Sequence, residues 1–185
     1  MNKVLKLALI LFLVSAIVAA ILGATYVVTE PNITKRNTEK TLNAYGEVTD
    51  AELDLDKAVT LAKDDESAKF EGGKITKVVP SKDGSVYVVE AQVSGSQSTI
   101  TLAVGVDKAT GTTTGISIIK SGETSGLGSK ASTPEFRGQF PGKDAGTVLI
   151  TKEGGEINAI TGATITSKAV THTASAAIKY VANLG

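Results

Sequence analysis

The sequence has 185 residues, enough for one ordinary soluble domain together with a membrane anchor. It contains no cysteine, and His172 is the only histidine, which excludes disulfides, thiolate-bound zinc, cysteine-ligated iron–sulfur clusters and multi-histidine metal sites. Basic and acidic residues balance at 19 each, without a concentrated basic face, so we predict no metal centre and no nucleic-acid partner.

An uncharged apolar segment stands near the beginning of the chain. No residue between Lys6 and Glu30 is charged, and the run Leu7–Val28 is longer than the roughly 20 residues that a helix needs to cross a bilayer. We therefore predict that residues 1–28 form a membrane anchor. Lys3 and Lys6 favour a cytoplasmic N-terminus, with the C-terminal domain on the extracytoplasmic side of the cell membrane.

A cleaved signal peptide is the alternative to a retained anchor. Its apolar region normally has about 7–15 residues and ends in small residues, and Leu22-Gly23-Ala24 resembles such an end. The longer apolar run favours the retained anchor. Both alternatives export the domain that follows.

Residues 29–73 are polar at first and acidic later. The polar stretch Thr29–Lys40 predicts a stalk. The stretch Glu47–Glu66 is rich in Asp and Glu and predicts one or two short helices with a solvated face.

Residues 74–185 have the pattern of the main domain. Segments rich in Val, Ile and Thr are separated by turn signals at Asp83-Gly84, Gly95 and Gly111. Closely spaced strands of this kind predict an antiparallel meander. The predicted strands are Ile75–Val79, Val86–Val93, Ser98–Val106 and Gly115–Ile119.

Three further elements are predicted after the meander. Phe136–Phe140 predicts a short helix or turn, and Gly146–Lys152 predicts another strand. Thr166–Ala182 predicts a C-terminal helix whose apolar side consists of Val170, Ala174, Ala177, Ile178 and Val181. The predicted fold class is therefore α+β, with a single N-terminal transmembrane helix followed by one extracytoplasmic domain of an antiparallel sheet and packed helices.

A hydroxyl-rich turn opens this C-terminal helix, with the sequence Thr161-Gly162-Ala163-Thr164-Ile165-Thr166-Ser167. A helix N-terminus presents free N–H groups at the positive end of the helix dipole, an arrangement that suits a phosphate group. Gly162 and Ala163 leave the approach uncrowded, and Lys168 adds a positive charge. The alternative is a purely structural turn in which Thr164 caps the helix.

The turn resembles the S/T-G-A-T-x-T/S signature of the FMN-binding domain family. In that family the final hydroxyl residue carries FMN through a phosphoester bond, and the resemblance implies that this residue is Thr166 here. The expected cofactor is therefore covalent FMN. The residues expected around its phosphate are Gly162, Ala163, Thr164 and Lys168.

A second segment supports the resemblance. Glu123-Thr124-Ser125-Gly126-Leu127-Gly128 is similar to the E-T-P-G-L-G segment of the family, with Ser125 in place of proline. Phe136 and Gln139-Phe140 follow at the spacing of the family. Because this loop lies close to the isoalloxazine ring in the family, the resemblance implies ring contacts from Glu123, Thr124, Gly126 and Leu127.

The family includes the G subunit of Rnf complexes and the C subunit of sodium-pumping NADH:quinone oxidoreductases. The resemblance implies an electron-transfer subunit of a membrane-bound, ion-translocating complex of the Rnf type rather than a stand-alone enzyme. Its expected partners are the other membrane subunits and a flavin transferase that attaches FMN from FAD. Two alternatives stay open: an FMN subunit of a quinone-linked or extracellular electron-transfer chain, and an anchored surface binding module without a cofactor.

Overall fold

The computed structural model describes residues 2–62 and 65–184; Met1, Lys63, Asp64 and Gly185 lie outside the described residues. The chain divides into two compact units, Met1–Lys40 and Thr41–Gly185. The second unit begins well before the predicted boundary at residue 74, because the end of the first helix and two short strands pack into it.

Helix α1 runs over Lys3–Val48. Its N-terminal part is exposed and strongly apolar, and α1 is the one helix among the described residues that is long and apolar enough to cross a membrane. The stretch predicted as a stalk, Thr29–Lys40, is helical as well and continues α1 past Pro31. Its sequence carries no apolar periodicity because all its side chains are exposed.

The acidic segment contains the predicted short helices as two 3₁₀ turns, Leu55–Lys57 and Glu66–Ala68. Asp54 and Asp65 begin these turns, and their carboxylates accept hydrogen bonds from N–H groups of the turns at 3.3 and 3.0 Å. Short polar side chains are favoured at such positions because they satisfy N–H groups that lack a partner within the helix.

The second unit is built on a six-stranded antiparallel sheet. Its strands are β1 (Val59–Thr60), β2 (Lys69–Phe70), β3 (Gly73–Pro80), β4 (Val86–Ser94), β5 (Thr99–Asp107) and β6 (Thr112–Lys120). Strands β3 to β6 pair in chain order, and β1 and β2 both pair with β3. The predicted antiparallel meander is confirmed, with strand ends close to the predicted ones.

One face of the sheet packs against the C-terminal helix α3, Thr164–Ala182. Val89 of β4 and Leu102 of β5 point to this face and are fully buried. The predicted apolar side of α3 is confirmed, since all its members are buried: Val170, Ala174, Ala177, Ile178 and Val181. This layer forms the larger of the two cores. Burial of each Val or Leu side chain in it contributes about 1.5–3 kcal/mol.

The opposite face of the sheet is covered by the last turns of α1. Tyr45 and Val48 are each only 2% exposed, and they pack on Val79, Val88 and Ala103. Both faces of the sheet are therefore buried, and the end of α1 belongs to the core of the second unit.

Two hydrogen bonds and one glycine fix the end of α1 on the sheet. Tyr45 Oη donates to Glu90 Oε2 at 3.0 Å, and Thr114 Oγ1 donates to the carbonyl oxygen of Val48 at 2.5 Å. A Cβ atom on Gly105 would lie 2.7 Å from the same carbonyl oxygen, so the close approach requires a residue without a side chain.

The prediction of a strand over Gly146–Lys152 is wrong. The Asp144 carboxylate accepts hydrogen bonds from the N–H groups of Gly146 (2.8 Å) and Thr147 (2.9 Å), which curls the chain into a turn. The segment resembles a strand in sequence because individual apolar side chains are buried, although its backbone is irregular. Those fully buried side chains are Val148 and Ile150.

Candidate functional site

The fold brings the two predicted motifs into direct contact. Glu123 follows the end of β6, and Thr166 lies in the first turn of α3. Thr166 Oγ1 donates a hydrogen bond of 2.5 Å to Glu123 Oε2. Thr166 is only 1% exposed, so its hydroxyl is enclosed between the loop and the helix.

Glu123 is anchored from the other side by the turn between β4 and β5. Its carboxylate accepts hydrogen bonds from the backbone N–H groups of Ser96 (3.2 Å), Gln97 (2.9 Å) and Ser98 (3.0 Å). A Cβ atom on Gly95 would lie 2.7 Å from Glu123 Oε1, so this turn also needs a glycine to receive the carboxylate. Sequence reasoning missed this anchor, because backbone donors leave no residue-type signal.

The surroundings of Glu123 keep its carboxyl group ionised. Burial by itself raises the pKa of this group, but the donors outweigh it: the hydrogen bonds from Thr166 and from the Gln97, Ser96 and Ser98 backbone leave the pKa below its ordinary value. At neutral pH the Thr166 hydroxyl therefore faces a negative charge.

The loop after Glu123 closes over the start of α3. The Thr124 carbonyl oxygen accepts hydrogen bonds from the N–H groups of Leu127 and Ser129, both at 3.2 Å, and Gly126 adopts a left-handed φ of 77°. A Cβ atom on Gly128 would lie 3.0 Å from Thr166 Oγ1. The loop can cover the hydroxyl this closely because it carries glycine at that position.

Leu127 is the apolar side chain that the loop presents at this end of the domain. It is 43% exposed, and its Cδ2 atom would lie 3.1 Å from a Cβ atom on Gly162. Ile165 is 61% exposed on the first turn of α3. Two large apolar side chains are thus accessible beside the two motifs.

The start of α3 differs from the capped helix that the sequence left open as an alternative. Ala163 is its N-cap residue, and within the described chain no side chain makes a cap hydrogen bond there. The alternative in which Thr164 caps the helix is therefore wrong, because Thr164 is already the first helical residue. Gly162 precedes with a left-handed φ of 79°.

Ser167 has a structural use for its hydroxyl. Its Oγ accepts a hydrogen bond from the Ile160 N–H (2.9 Å) and donates one to the Ala163 carbonyl oxygen (3.0 Å). Ser167 is fully buried, and these two bonds fix the turn that leads into α3. Alignment to the family signature favours Thr166 over Ser167 as the attachment residue, and that choice stays a prediction.

Lys168 is directed to another partner. Its Nζ lies 2.7 Å from Glu153 Oε1, and His172 Nε2 lies 3.0 Å from Glu153 Oε2. The hydrogen bond from Lys168 has the largest effect on the Glu153 carboxyl group and lowers its pKa, although burial alone would raise it. A contact of Lys168 with a phosphate group stays a prediction.

A polar pocket of about 220 Å³ lies on the other side of the turn, beside the short helix α2 (Pro134–Arg137). The side chain of Gln139 spans it by accepting a hydrogen bond from the Asn158 N–H at 2.8 Å and donating one to the Asn158 carbonyl oxygen at 3.4 Å. Phe136 and Thr161 also line this pocket. Helix α2 overlaps the short helix or turn that was predicted over Phe136–Phe140. Gln139 holds the irregular segment at Asn158 that leads into the motif.

A pocket of about 480 Å³ in the second unit contains none of the predicted site residues. It is lined mainly by residues near β1 and β3, with Tyr87 and Tyr180. The two motifs therefore lie away from this pocket.

The residues at the start of α3 fit a phosphate group. The helix is 19 residues long and uncapped by any side chain in the described chain, so its first N–H groups can bind an anion. A hydroxyl for esterification, a left-handed glycine and exposed apolar groups for a planar ring lie beside it.

Comparison with known proteins agrees with this site. The sequence profile of the FMN-binding domain matches residues 95–179. The chain is 32% identical to the G subunit of the ion-translocating oxidoreductase complex of Methanosarcina acetivorans, over 97% of this chain and 95% of that protein. The chain belongs to the family of these G subunits.

A second G subunit is similar over nearly its whole length. The G subunit of the Na(+)-translocating ferredoxin:NAD(+) oxidoreductase complex of Acetobacterium woodii is 39% identical over 98% of this chain and 93% of its own length. Among solved structures, the C subunit of the Na(+)-translocating NADH-quinone reductase of Parabacteroides distasonis has 22% identity and a TM-score of 0.48, over 80% of this chain and 85% of that one.

The region of this G-subunit family member that matches the FMN-binding domain contains the whole candidate site. It begins at Gly95, in the turn that holds Glu123, and ends at Lys179, within α3. Helix α1 lies outside the matched region and supplies the apolar helix of a single-pass membrane protein.

Proposed function

We propose that this chain is an electron-transfer subunit that carries FMN as a phosphoester on Thr166 within an ion-translocating membrane complex. The observation that carries the proposal is the hydrogen bond between Thr166 and Glu123, which joins the two motifs inside the region that matches the FMN-binding domain. The two relatives support the proposal of a membrane complex, since both are G subunits of ion-translocating oxidoreductases.

In the proposal, different residues of this chain supply the ester oxygen and bind the phosphate and the ring of the cofactor. Thr166 supplies the ester oxygen, and Gly162, Ala163 and Thr164 supply the uncrowded helix start that accommodates the phosphate charge. When bound, FMN supplies one- and two-electron transfer, and the protein tunes that chemistry through contacts to the ring. The proposed ring contacts are Glu123, Thr124, Gly126 and Leu127, and Lys168 is proposed as a further phosphate contact.

Attachment requires the enclosed hydroxyl to become accessible. Thr166 is 1% exposed, and the segment Thr124–Ser129 lies over it. Backbone bonds of this segment join Leu127 and Ser129 to Thr124, and Ser129 Oγ accepts from the Gly126 N–H at 3.0 Å. We propose that this segment is displaced during attachment while Glu123 stays bound to the turn between β4 and β5.

The proposal places the cofactor domain outside the cytoplasm. Lys3 and Lys6 precede the apolar part of α1 and favour a cytoplasmic N-terminus. A covalent bond then serves a clear purpose, because a free nucleotide would be lost from an exported domain. The proposed partners are the other membrane subunits of a complex of the Rnf type and the flavin transferase that uses FAD as the donor.

The test of the proposal is the intact mass of the full-length protein purified from a host that contains an active flavin transferase. We expect a mass increase of one FMN group and a band that fluoresces on a denaturing gel, with absorbance that bleaches reversibly on reduction. The same chain from a host without the transferase is the control and should have the unmodified mass. An unmodified, colourless protein from the transferase-containing host would contradict the proposal and favour an anchored binding module.

A further inference from the structure

We infer that Glu123 selects Thr166 as the esterified residue, by holding its hydroxyl and accepting the hydroxyl proton as the ester bond forms. This inference rests on the proposed function, because it concerns how FMN becomes attached to this chain. It gives Glu123 a role before the cofactor is present, which differs from a contact to the ring.

The position of Glu123 is that of a fixed proton acceptor. Glu123 Oε1 accepts hydrogen bonds from the backbone of Gln97 and Ser98, which hold the carboxylate on the turn between β4 and β5. Oε2 faces Thr166 Oγ1 and accepts its hydrogen bond at 2.5 Å. The proton of the hydroxyl is therefore already directed at a buried carboxylate that is bound to a different element of the fold.

The neighbouring hydroxyls of the motif lack this arrangement. The Ser167 hydroxyl is hydrogen-bonded to the backbone of Ile160 and Ala163. Thr164 is half-buried on the first turn of α3 and is more accessible than Thr166. Within the described part of the chain, Thr166 is the one hydroxyl of the motif that donates to a carboxylate. Accessibility alone would favour the exposed Thr161 or the half-buried Thr164, so selection of Thr166 needs the carboxylate.

The group-transfer step balances with this proton acceptor. The Thr166 oxygen attacks the phosphorus of the FMN half of a flavin dinucleotide, and a new Oγ1–P bond replaces the P–O bond of the phosphoanhydride. AMP leaves with the bridging oxygen, and no electron is transferred. The hydroxyl proton passes along the existing hydrogen bond to Glu123 Oε2 and from there to water. A carboxylate that accepts a hydroxyl proton during phosphoryl transfer is an established arrangement in kinases.

The decisive variant is Glu123→Gln, which keeps the shape and one acceptor oxygen but removes the charge and the basicity. Positioned proton acceptors contribute about 10²–10⁴ to a rate, so we expect covalent incorporation at Thr166 to slow by about 100-fold or more. Tagged variant and untagged wild type are mixed at equal concentration with purified transferase and FAD, and the two chains are followed by fluorescence on one gel. Because both chains share one reaction, the ratio of the two rates is independent of the amount and activity of the transferase.

The matched control is Glu66→Gln, the same change at an exposed carboxylate of a 3₁₀ turn, which should incorporate flavin at the rate of wild type. Peptide mapping of the Glu123→Gln product gives a second readout that a merely structural role would not move. We expect the share of flavin on Thr164 to rise. Incorporation at Thr166 at the rate of wild type, with no change of site, would overturn the inference.

Stability is measured on the same samples, because three backbone donors around Glu123 meet an amide group in the Gln variant. If that variant does not fold, Glu123→Asp decides, since it keeps the charge but withdraws it from Thr166. A folded Asp variant that is slow at Thr166 supports the inference, and one that matches wild type contradicts it. A wild-type chain that takes up no flavin at all would instead contradict the proposed function, so the two failures can be told apart.

Discussion

Replacement of Thr166 by alanine is expected to abolish covalent flavin while the sheet stays folded. Alanine offers no oxygen for the ester bond, and the helix start that accommodates the phosphate is unchanged. Loss of the hydrogen bond to Glu123 removes one of the several donors of that carboxylate, which we expect to cost about 1–3 kcal/mol. The measurement is fluorescence of the full-length variant on a denaturing gel, after coexpression with the transferase, together with circular dichroism.

Thr164→Ala is the matched control for this prediction. Thr164 lies two residues earlier in the same turn of α3 and is half-buried, so the substitution also removes a hydroxyl but leaves the Glu123 contact intact. It keeps the backbone N–H of residue 164, which is what the helix start offers to the phosphate in the proposal. This variant should retain covalent flavin. The opposite pattern, with flavin on the Thr166 variant and none on the Thr164 variant, would move the attachment to Thr164.

Tyr45→Ala is expected to lower the free energy of unfolding of the second unit by about 3–5 kcal/mol, the range for large aromatic side chains removed from a core. Tyr45 is 2% exposed on the face of the sheet opposite α3, where it packs with Val48 on β3, β4 and β5. The variant leaves a cavity under the end of α1 and removes the donor to Glu90. Unfolding by denaturant, followed by far-ultraviolet circular dichroism of the full chain in detergent, measures the loss.

Tyr45→Phe separates packing from hydrogen bonding at the same position. It keeps the ring and removes only the hydroxyl that donates to Glu90, so we expect a loss of about 0.5–1.5 kcal/mol. If Tyr45→Ala were as stable as wild type, the end of α1 would not belong to the core of the second unit.

The strands and the last helix were predictable because their patterns are local. Strands β4 and β5 are rich in Val and Ile, and α3 repeats its buried residues at helical spacing. The segment Gly146–Lys152 has the same apolar content, but the Asp144 turn decides its path. Apolar content alone does not distinguish a strand from an irregular buried segment.

The docking of the end of α1 was not predictable from the sequence. Tyr45 and Val48 follow a polar stretch without periodicity, and their partners Val88 and Ala103 lie far along the chain. A glycine within a strand, as at Gly105, is the one signal that could have suggested a close backbone approach.

For the candidate site, the sequence supplied the two motifs but not the contacts that join them. The resemblance named Glu123 and Thr166 separately, and their hydrogen bond is a tertiary contact between a loop and a helix. The Ser96–Ser98 turn acts through its backbone, which any residue provides. Lys168 was assigned from its charge and its place in the first turn of the helix, and its pairing with Glu153 is a tertiary contact that the sequence does not reveal.

Attachment of FMN to Thr166 is tested most directly by tandem mass spectrometry of the flavin-bearing peptide from the wild-type protein, purified from a host with the transferase. We expect a peptide that contains the turn before α3, with one FMN group on the oxygen of Thr166. A flavin on Thr164 or Ser167, or an unmodified turn in a protein that carries covalent flavin elsewhere, would contradict the attachment site and the role of Glu123.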